Sequence, residues 1–341
     1  MFDEASSKES STTRGRRRVL AGLGGLSLMT LGMPKGRAAK GNWPTQPVRF
    51  VIVFPPGASI NAFARLMAEP LSTFLGQPVV VENRDGAGGM IGVASVAHAR
   101  GDGYTFCMAH VGTLAVQPAV MGDKMPYRAL QDLTPIIHLT DQPNVLLVHA
   151  SVPAKNMDEF VAWARKKPGT AYATPGVATS NQITGELVST AFKLGLTHVP
   201  YRGVTPAMQD FMGGLIQVAV LNIADAMPLV NDGRARALLV TTAQRSPALP
   251  DAVTIVEAGA SPQPLNSWQG IFGPAGVPKE AVDRLNEGFN VALKDEKVRK
   301  WMDTFHAVPV GGSTEDFQKY VVREHAMWQD LVHRFKLEQT A

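Results

Sequence analysis

The chain is poor in the features that mark most chemistries. Cys107 is its only cysteine, so no internal disulfide can brace the fold. It lies in the apolar run Tyr-Thr-Phe-Cys-Met with no basic neighbour in sequence, and it reads as a buried structural thiol rather than a nucleophile. The eight histidines, at 98, 110, 138, 149, 198, 306, 325 and 333, show no metal-ligand spacing. His110 ends a predicted strand where a pocket would lie, although a core or hinge histidine is the plainer reading. No GxSxG nucleophile elbow and no Walker A loop occurs. Gly86 to Gly92, Gly-Ala-Gly-Gly-Met-Ile-Gly, follows a strand-like run, but counted from Gly86 the third glycine of GxGxxG falls on Ile91. A tight packing loop, or amides facing a small anion, explains it equally well. No cofactor, metal or enzymatic activity is therefore expected.

An excess of one charge is missing as well. The formal net charge is +4, and residues 1–38 supply all of it, with seven basic residues against Asp3, Glu4 and Glu9. The remainder carries 26 basic and 26 acidic residues, so a nucleic-acid surface loses its main support. The leader itself resembles a twin-arginine export signal. Gly15 to Leu20 reads Gly-Arg-Arg-Arg-Val-Leu with Arg16 and Arg17 as the pair, and the apolar run from Val19 to Met33 is short for a membrane span. Residues 1–38 are expected to be a signal peptide, with cleavage near Ala38 or Ala39. No later run of about 18 apolar residues appears.

What is present is alternation. Val48–Phe54, Gln77–Glu82 and Tyr104–Ala109 read as strands, separated by helical spacing over 61–75 and 91–99. A second set follows from Asn144, through Thr170–Ala173, Thr197–Val199, Val218–Leu221 and Ala235–Thr241. This pattern predicts an α/β fold of two lobes, each a mainly parallel sheet flanked by helices. The expected division is 43–141 with 267–341 for lobe 1 and 142–266 for lobe 2. A hinge with two crossings, near Gln142–Leu146 and Gln263–Ile271, would join them.

Two loops stand out. Phe-Pro-Pro-Gly-Ala-Ser-Ile-Asn, from Phe54 to Asn61, joins the first strand to a helix. Thr-Pro-Gly-Val-Ala-Thr-Ser-Asn, from Thr174 to Asn181, repeats the plan in the second set. A Pro-Gly loop ending on a helix N-terminus presents unpaired N–H groups and the positive end of a dipole, which suits an anion. The bland alternative is capping, by Ser59 in the first loop and by Thr179 or Ser180 in the second.

The order of short motifs adds a family. Trp43-Pro44, Phe54-Pro55-Pro56-Gly57, Leu75-Gly76-Gln77-Pro78-Val79, Val81-Glu82-Asn83-Arg84, Gly86 to Gly92, Asp102-Gly103-Tyr104-Thr105, His198 to Gly203, Glu257-Ala258-Gly259 and Ser267-Trp268-Gln269-Gly270 together resemble the Bug-type solute receptors of tripartite tricarboxylate transporters. The resemblance implies a periplasmic receptor with the two-lobed, type II periplasmic binding protein fold, which closes its lobes on a small organic anion, a carboxylate. It also implies a partner permease of one large and one small subunit; a receptor feeding a membrane sensor, or an envelope enzyme on the same scaffold, would be the alternative readings. Carried over residue by residue, it points to Phe54, Gly57, Ala58, Ser59 and Asn61 in the first lobe, and to Thr174, Gly176, Thr179, Ser180 and Asn181 in the second. Tyr201, Arg202 and Gly203 stand at a third strand-to-helix junction. Asp225 could line the site or cap a helix, and Trp268 could be an aromatic wall or hinge packing. The Ser59 and Thr179 hydroxyls are expected to clamp one carboxylate from opposite sides. Asn61 stands where the family commonly has Asp, which is expected to remove a negative charge from a pocket wall and disfavour an ammonium ligand. Ala58, Ala178 and Gln182 depart from the family pattern too.

Overall fold

The computed structural model describes residues 43–57 and 59–335; the expected signal peptide and Ala58 lie outside the described residues. Strand β1 (Val48–Ile52) has both faces covered, as its near-continuous apolar sequence requires of a parallel strand between helices. It pairs in parallel with β2 (Val79–Asn83) and β3 (Thr105–His110). Beyond β3 runs the antiparallel β10 (Asn266–Pro274), then β4 (Leu133–His149).

At 17 residues, β4 is long enough to serve two sheets. Leu133–Pro143 pairs with β10 and with the short β11 (Val308–Pro309). Asn144–His149 pairs instead with β7 (Val218–Asn222) and β8 (Ala235–Val240). In that second sheet β5 (Ala171–Thr174) lies parallel between β7 and β6 (Thr197–Pro200), and β9 (Val253–Thr254) extends β8. The parallel pairs are thus peripheral, and the strands that cross between sheets are antiparallel.

Helices cover the faces. Helix α1 (Ser59–Leu75) buries Phe63, Met67, Leu71 and Leu75, a row at i+4 spacing, and packs on the later helix α8 (Lys279–Ala292). Helices α2 (Met90–Ala97) and α3 (Gln117–Met121) follow β2 and β3. Around the second sheet lie α4 (Met157–Arg165), α5 (Ser180–Phe192), α6 (Val204–Met212) and α7 (Ile223–Asn231). Then α9 (Glu296–Thr304) and α10 (Thr314–Phe335) close the chain against the first sheet, α10 lying on β4.

Trp268 of β10 belongs to that packing. It is fully buried, edge-on to Phe317 at 5.8 Å between ring centroids, and its Nε1 donates to Glu324 Oε2 at 3.0 Å. Burial of one such aromatic is worth about 1.5–3 kcal/mol, and the partnered indole N–H avoids the cost of an orphaned donor. Cys107 is buried in β3, where burial raises its thiol pKa and keeps it inert.

Candidate functional site

Each βα turn of the second sheet delivers a helix N-terminus to the same place. β5 runs through Pro175 to α5, β6 through Tyr201 to α6, and β7 directly into α7. From the first sheet, β1 runs through Phe54 into α1. The openings of all four helices line one cavity of about 30 Å³, with Ser59 and Ile60 from α1, Thr179, Ser180 and Asn181 from α5, Val204 from α6, and Asn222 and Asp225 from α7. That volume holds a water or two. A larger cavity of about 730 Å³ adjoins it, sharing Phe54 and Pro175 as walls. Pro55, the Gly86–Gly89 loop, Gln117, Gly176, Tyr201, Arg202 and Gly203 line the larger space.

At the small cavity, the first N–H groups of each helix have no partner within their own helix, and the aligned peptide dipoles put positive potential there. Its lining contains one formally charged residue, Asp225. Asp225 Oδ1 accepts the Ser59 backbone N–H at 3.1 Å, joining α7 to the start of α1 across the space between the sheets. Burial pushes the Asp225 carboxyl up to about 6, against the opposing pull of its hydrogen bonds from Ser59. A carboxylate already sits at the α1 N-terminus, and it is the protein's own.

The remaining groups are held in place by one another. Asn181 Nδ2 donates to Asn144 Oδ1 at 3.0 Å, Asn144 Nδ2 to Thr184 Oγ1 at 3.2 Å, and the Asn144 N–H to Thr241 Oγ1 at 2.9 Å. Phe54 packs on His110 with centroids 4.8 Å apart. His110 Nδ1 accepts the Gly112 N–H at 3.0 Å, which leaves the ring proton on Nε2. Burial lowers the His110 pKa to about 4, so the ring is neutral at pH 7.

Not every residue singled out in the sequence reaches these cavities. Phe54 lines both; Ser59, Ser180, Asn181 and Asp225 line the small one; Gly176, Tyr201, Arg202 and Gly203 line the large one. Thr179 lines the small cavity, but its hydroxyl is committed: it donates to Gly176 O at 3.0 Å and accepts the Gln182 N–H at 3.2 Å as the α5 N-cap. Both hydroxyls of the expected clamp are thus engaged within the protein, Thr179 in this cap and Ser59 with Asp225. Asn61 lines neither cavity. Its amide donates to the carbonyls of Phe54 and Pro55, each at 3.4 Å, a service a carboxylate could not perform, so the expected change of pocket charge at this position does not arise. Thr174 is tied to Gly176 O in its own loop and to His198 of β6, and Trp268 faces α10 rather than either cavity. Gly57 also lies off the lining, but a Cβ there would stand 2.7 Å from Thr205 Oγ1 of α6. Gly203, at φ 120°, similarly leaves no room between itself and Pro55, where a Cβ would come within 2.8 Å. These bare backbones let the two sheets' loops meet.

Ser267, Gln269 and Asn222 line the small cavity without having been singled out as site residues, and His110, at the strand end where a pocket was expected, lines it too. Period-two alternation along β10 carried the signal for the first two: with Trp268 on the α10 side, its neighbours must face the other way. Among the described residues no group of His, Cys, Asp and Glu could hold a metal ion, and no helix is long and apolar enough to cross a membrane.

Comparison with known proteins bears on this geometry. Residues 63–337 match the model of the tripartite tricarboxylate transporter family receptor. The chain is 30% identical over 317 residues to Protein BugT of Bordetella pertussis, covering 92% of this chain and 96% of that one. A protein of R. palustris solved with adipate superposes with a TM-score of 0.80 at 33% identity, covering 86% of this chain and 98% of its own. MatC from Rhodopseudomonas palustris, solved with bound malate, gives a TM-score of 0.79 at 30% identity, with coverage of 85% and 100%.

Proposed function

The chain belongs to the receptors of the tripartite tricarboxylate transporter family, and from that premise we propose that it is an exported Bug-type receptor for a small organic carboxylate. On this reading, residues 43–141 with 267–341 form one lobe and 142–266 the other. Closure delivers the bound anion to a permease of one large and one small subunit. The leader with Arg16 and Arg17 directs the chain through the twin-arginine machinery to the periplasm, where it is removed.

One observation carries the proposal: four helix N-termini from both sheets converge on a single cavity whose lining offers no cation. A carboxylate there is stabilised by amide hydrogen bonds and dipole ends rather than by ion pairing. Hydrogen bonds to a charged group are worth about 1.5–3 kcal/mol each, so two or three contribute about 3–9 kcal/mol, micromolar capture at the upper end. Malate and adipate, bound by relatives of similar fold, mark the chemical range to test. The small cavity cannot hold either one whole, so a carboxylate end that enters it must take the position held by the Asp225 carboxylate at Ser59, or widen the gap, with the rest of the ligand toward the larger cavity. Differential affinity for the closed state would then drive closure.

The test is calorimetric titration of ligand-free protein beginning near Lys40 with mono-, di- and tricarboxylates. One-to-one binding of at least one of them is expected. A folded, ligand-free protein that binds none would overturn the proposal.

A further inference from the structure

The larger cavity bears on the part of the ligand that lies beyond its carboxylate. Its volume, about 730 Å³, falls within the about 300–1,000 Å³ of pockets that enclose ligands of drug size. It is not the gap between parted loops. Around it the loops of the two sheets already touch: a Cβ on Gly88 would stand 3.1 Å from Val177 O, one on Gly203 would stand 2.8 Å from Pro55, and Asp225 accepts the Ser59 N–H at 3.1 Å. Contact blocks any further approach at these points, so the space persists with the loops together.

The walls of this space are mainly apolar. Met90, Val120, Met121 and Val177 line it, and Tyr201, whose hydroxyl is spent on Asp210 Oδ2 at 2.6 Å, has only its ring to offer. The charged residues of the lining, Asp85, Lys124 and Arg202, are all exposed, where water screens them. Its one buried polar side chain is Gln117. Gln117 Nε2 donates to the carbonyls of Ala87 and Gly88 at 3.1 and 3.3 Å, which fixes the amide and leaves Oε1 buried without a partner. An unpaired buried acceptor is costly, so this wall expects a donor from whatever fills the cavity, water or ligand.

A four-carbon diacid suits such walls poorly. Its second carboxylate meets no buried cation, and most of the apolar surface stays wet. An apolar group of ring size displaces that water and gains in proportion to the area it covers. Resting on the reading that a carboxylate end is held at the helix N-termini of the small cavity, we infer that the ligand is a carboxylate with a bulky apolar body, as large as an aromatic ring or larger, seated in the 730 Å³ cavity against Val120, Val177 and Tyr201.

The experiment titrates ligand-free protein calorimetrically with small acids (acetate, succinate, malate and citrate), ring acids (benzoate, phenylacetate and cinnamate) and chain acids (octanoate and sebacate). At least one ring or chain acid should bind at least about tenfold more tightly than every small acid, and the two arms separate an aromatic from an aliphatic body. Val120→Trp fills the cavity from α3, and Val177→Trp fills it from the facing loop should the first variant fail to fold. Either should weaken the preferred bulky acid at least about tenfold while leaving the small acids as they were. A small acid that binds as tightly as every bulky one, or a bulky acid whose affinity is unchanged in both folded variants, would overturn the inference and leave the carboxylate receptor standing. Failure of every acid in the panel would overturn both.

Discussion

Asp225→Asn is the perturbation whose size can be worked out most fully. The carboxyl titrates near 3.8 when solvated and is raised to about 6 by burial beside Ser59. Below pH 3.8 it is protonated in both the folded and unfolded chains and costs nothing. Above 6 it is charged in both, and the folded state bears the desolvation penalty. Two units at 1.36 kcal/mol each make that penalty about 3 kcal/mol, lost from stability as pH rises from about 4 to 6. His110 works in the opposite sense. It is lowered from 6.5 to about 4, so stability falls when pH drops through that window and the buried ring must be charged. The two slopes largely cancel in the native protein. Asparagine keeps an oxygen to accept the Ser59 N–H but cannot ionise, so the variant should show the histidine slope uncovered. In urea unfolding from pH 4 to 8, the variant should match the native protein at pH 4 and exceed it by about 3 kcal/mol at pH 7. A stability difference that stays constant across that range would show that the carboxyl is not desolvated, and with it the buried contact between Asp225 and Ser59 would be wrong.

Other expectations are simpler. Gly203→Ala places a Cβ 2.8 Å from Pro55 and strains a left-handed backbone by about 1–2 kcal/mol; closure should weaken, lowering affinity roughly tenfold in titration and enlarging the particle in solution scattering. Trp268→Phe removes a buried N–H from Glu324 and should lower stability by about 1–3 kcal/mol in denaturant unfolding, with ligand affinity unchanged because the side chain faces α10. Thr179→Ala removes the α5 cap at a cost of about 1 kcal/mol, visible as a lower melting temperature.

The parts of this fold that could be read from the sequence are those set by local pattern. Strands such as Val48–Ile52 and Val218–Asn222 announce themselves as short apolar runs between turns, and α1 by the i+4 row from Phe63 to Leu75. The first half of β4 escaped because Pro135 and Pro143 interrupt it, and proline argues against a central strand unless the partner geometry is known. The site was legible as loops but not as side-chain roles. Phe54, Ser59, Ser180 and Asn181 follow from helix starts in sequence. Whether the Thr179 hydroxyl is free depends on Gly176 and Gln182, and whether Asn61 faces a ligand depends on two carbonyls, which only the folded loop reveals. His110 and Gln269 are 159 positions apart and become partners through strand register alone.

The central claim is that a carboxylate is held by amides at converging helix N-termini, and Ser180→Pro tests it most directly. Ser180 is the first residue of α5, where proline is well tolerated, and Thr179 before it is already extended at φ −98° and ψ 158°. The substitution therefore keeps the helix while deleting a backbone N–H, together with one hydroxyl, from the cavity wall. Titrated side by side with the native protein against the tightest-binding carboxylate, the variant should lose about 1.5–3 kcal/mol, or roughly tenfold to a hundredfold in affinity, with its melting temperature preserved. Undiminished binding by a fully folded variant would contradict the account.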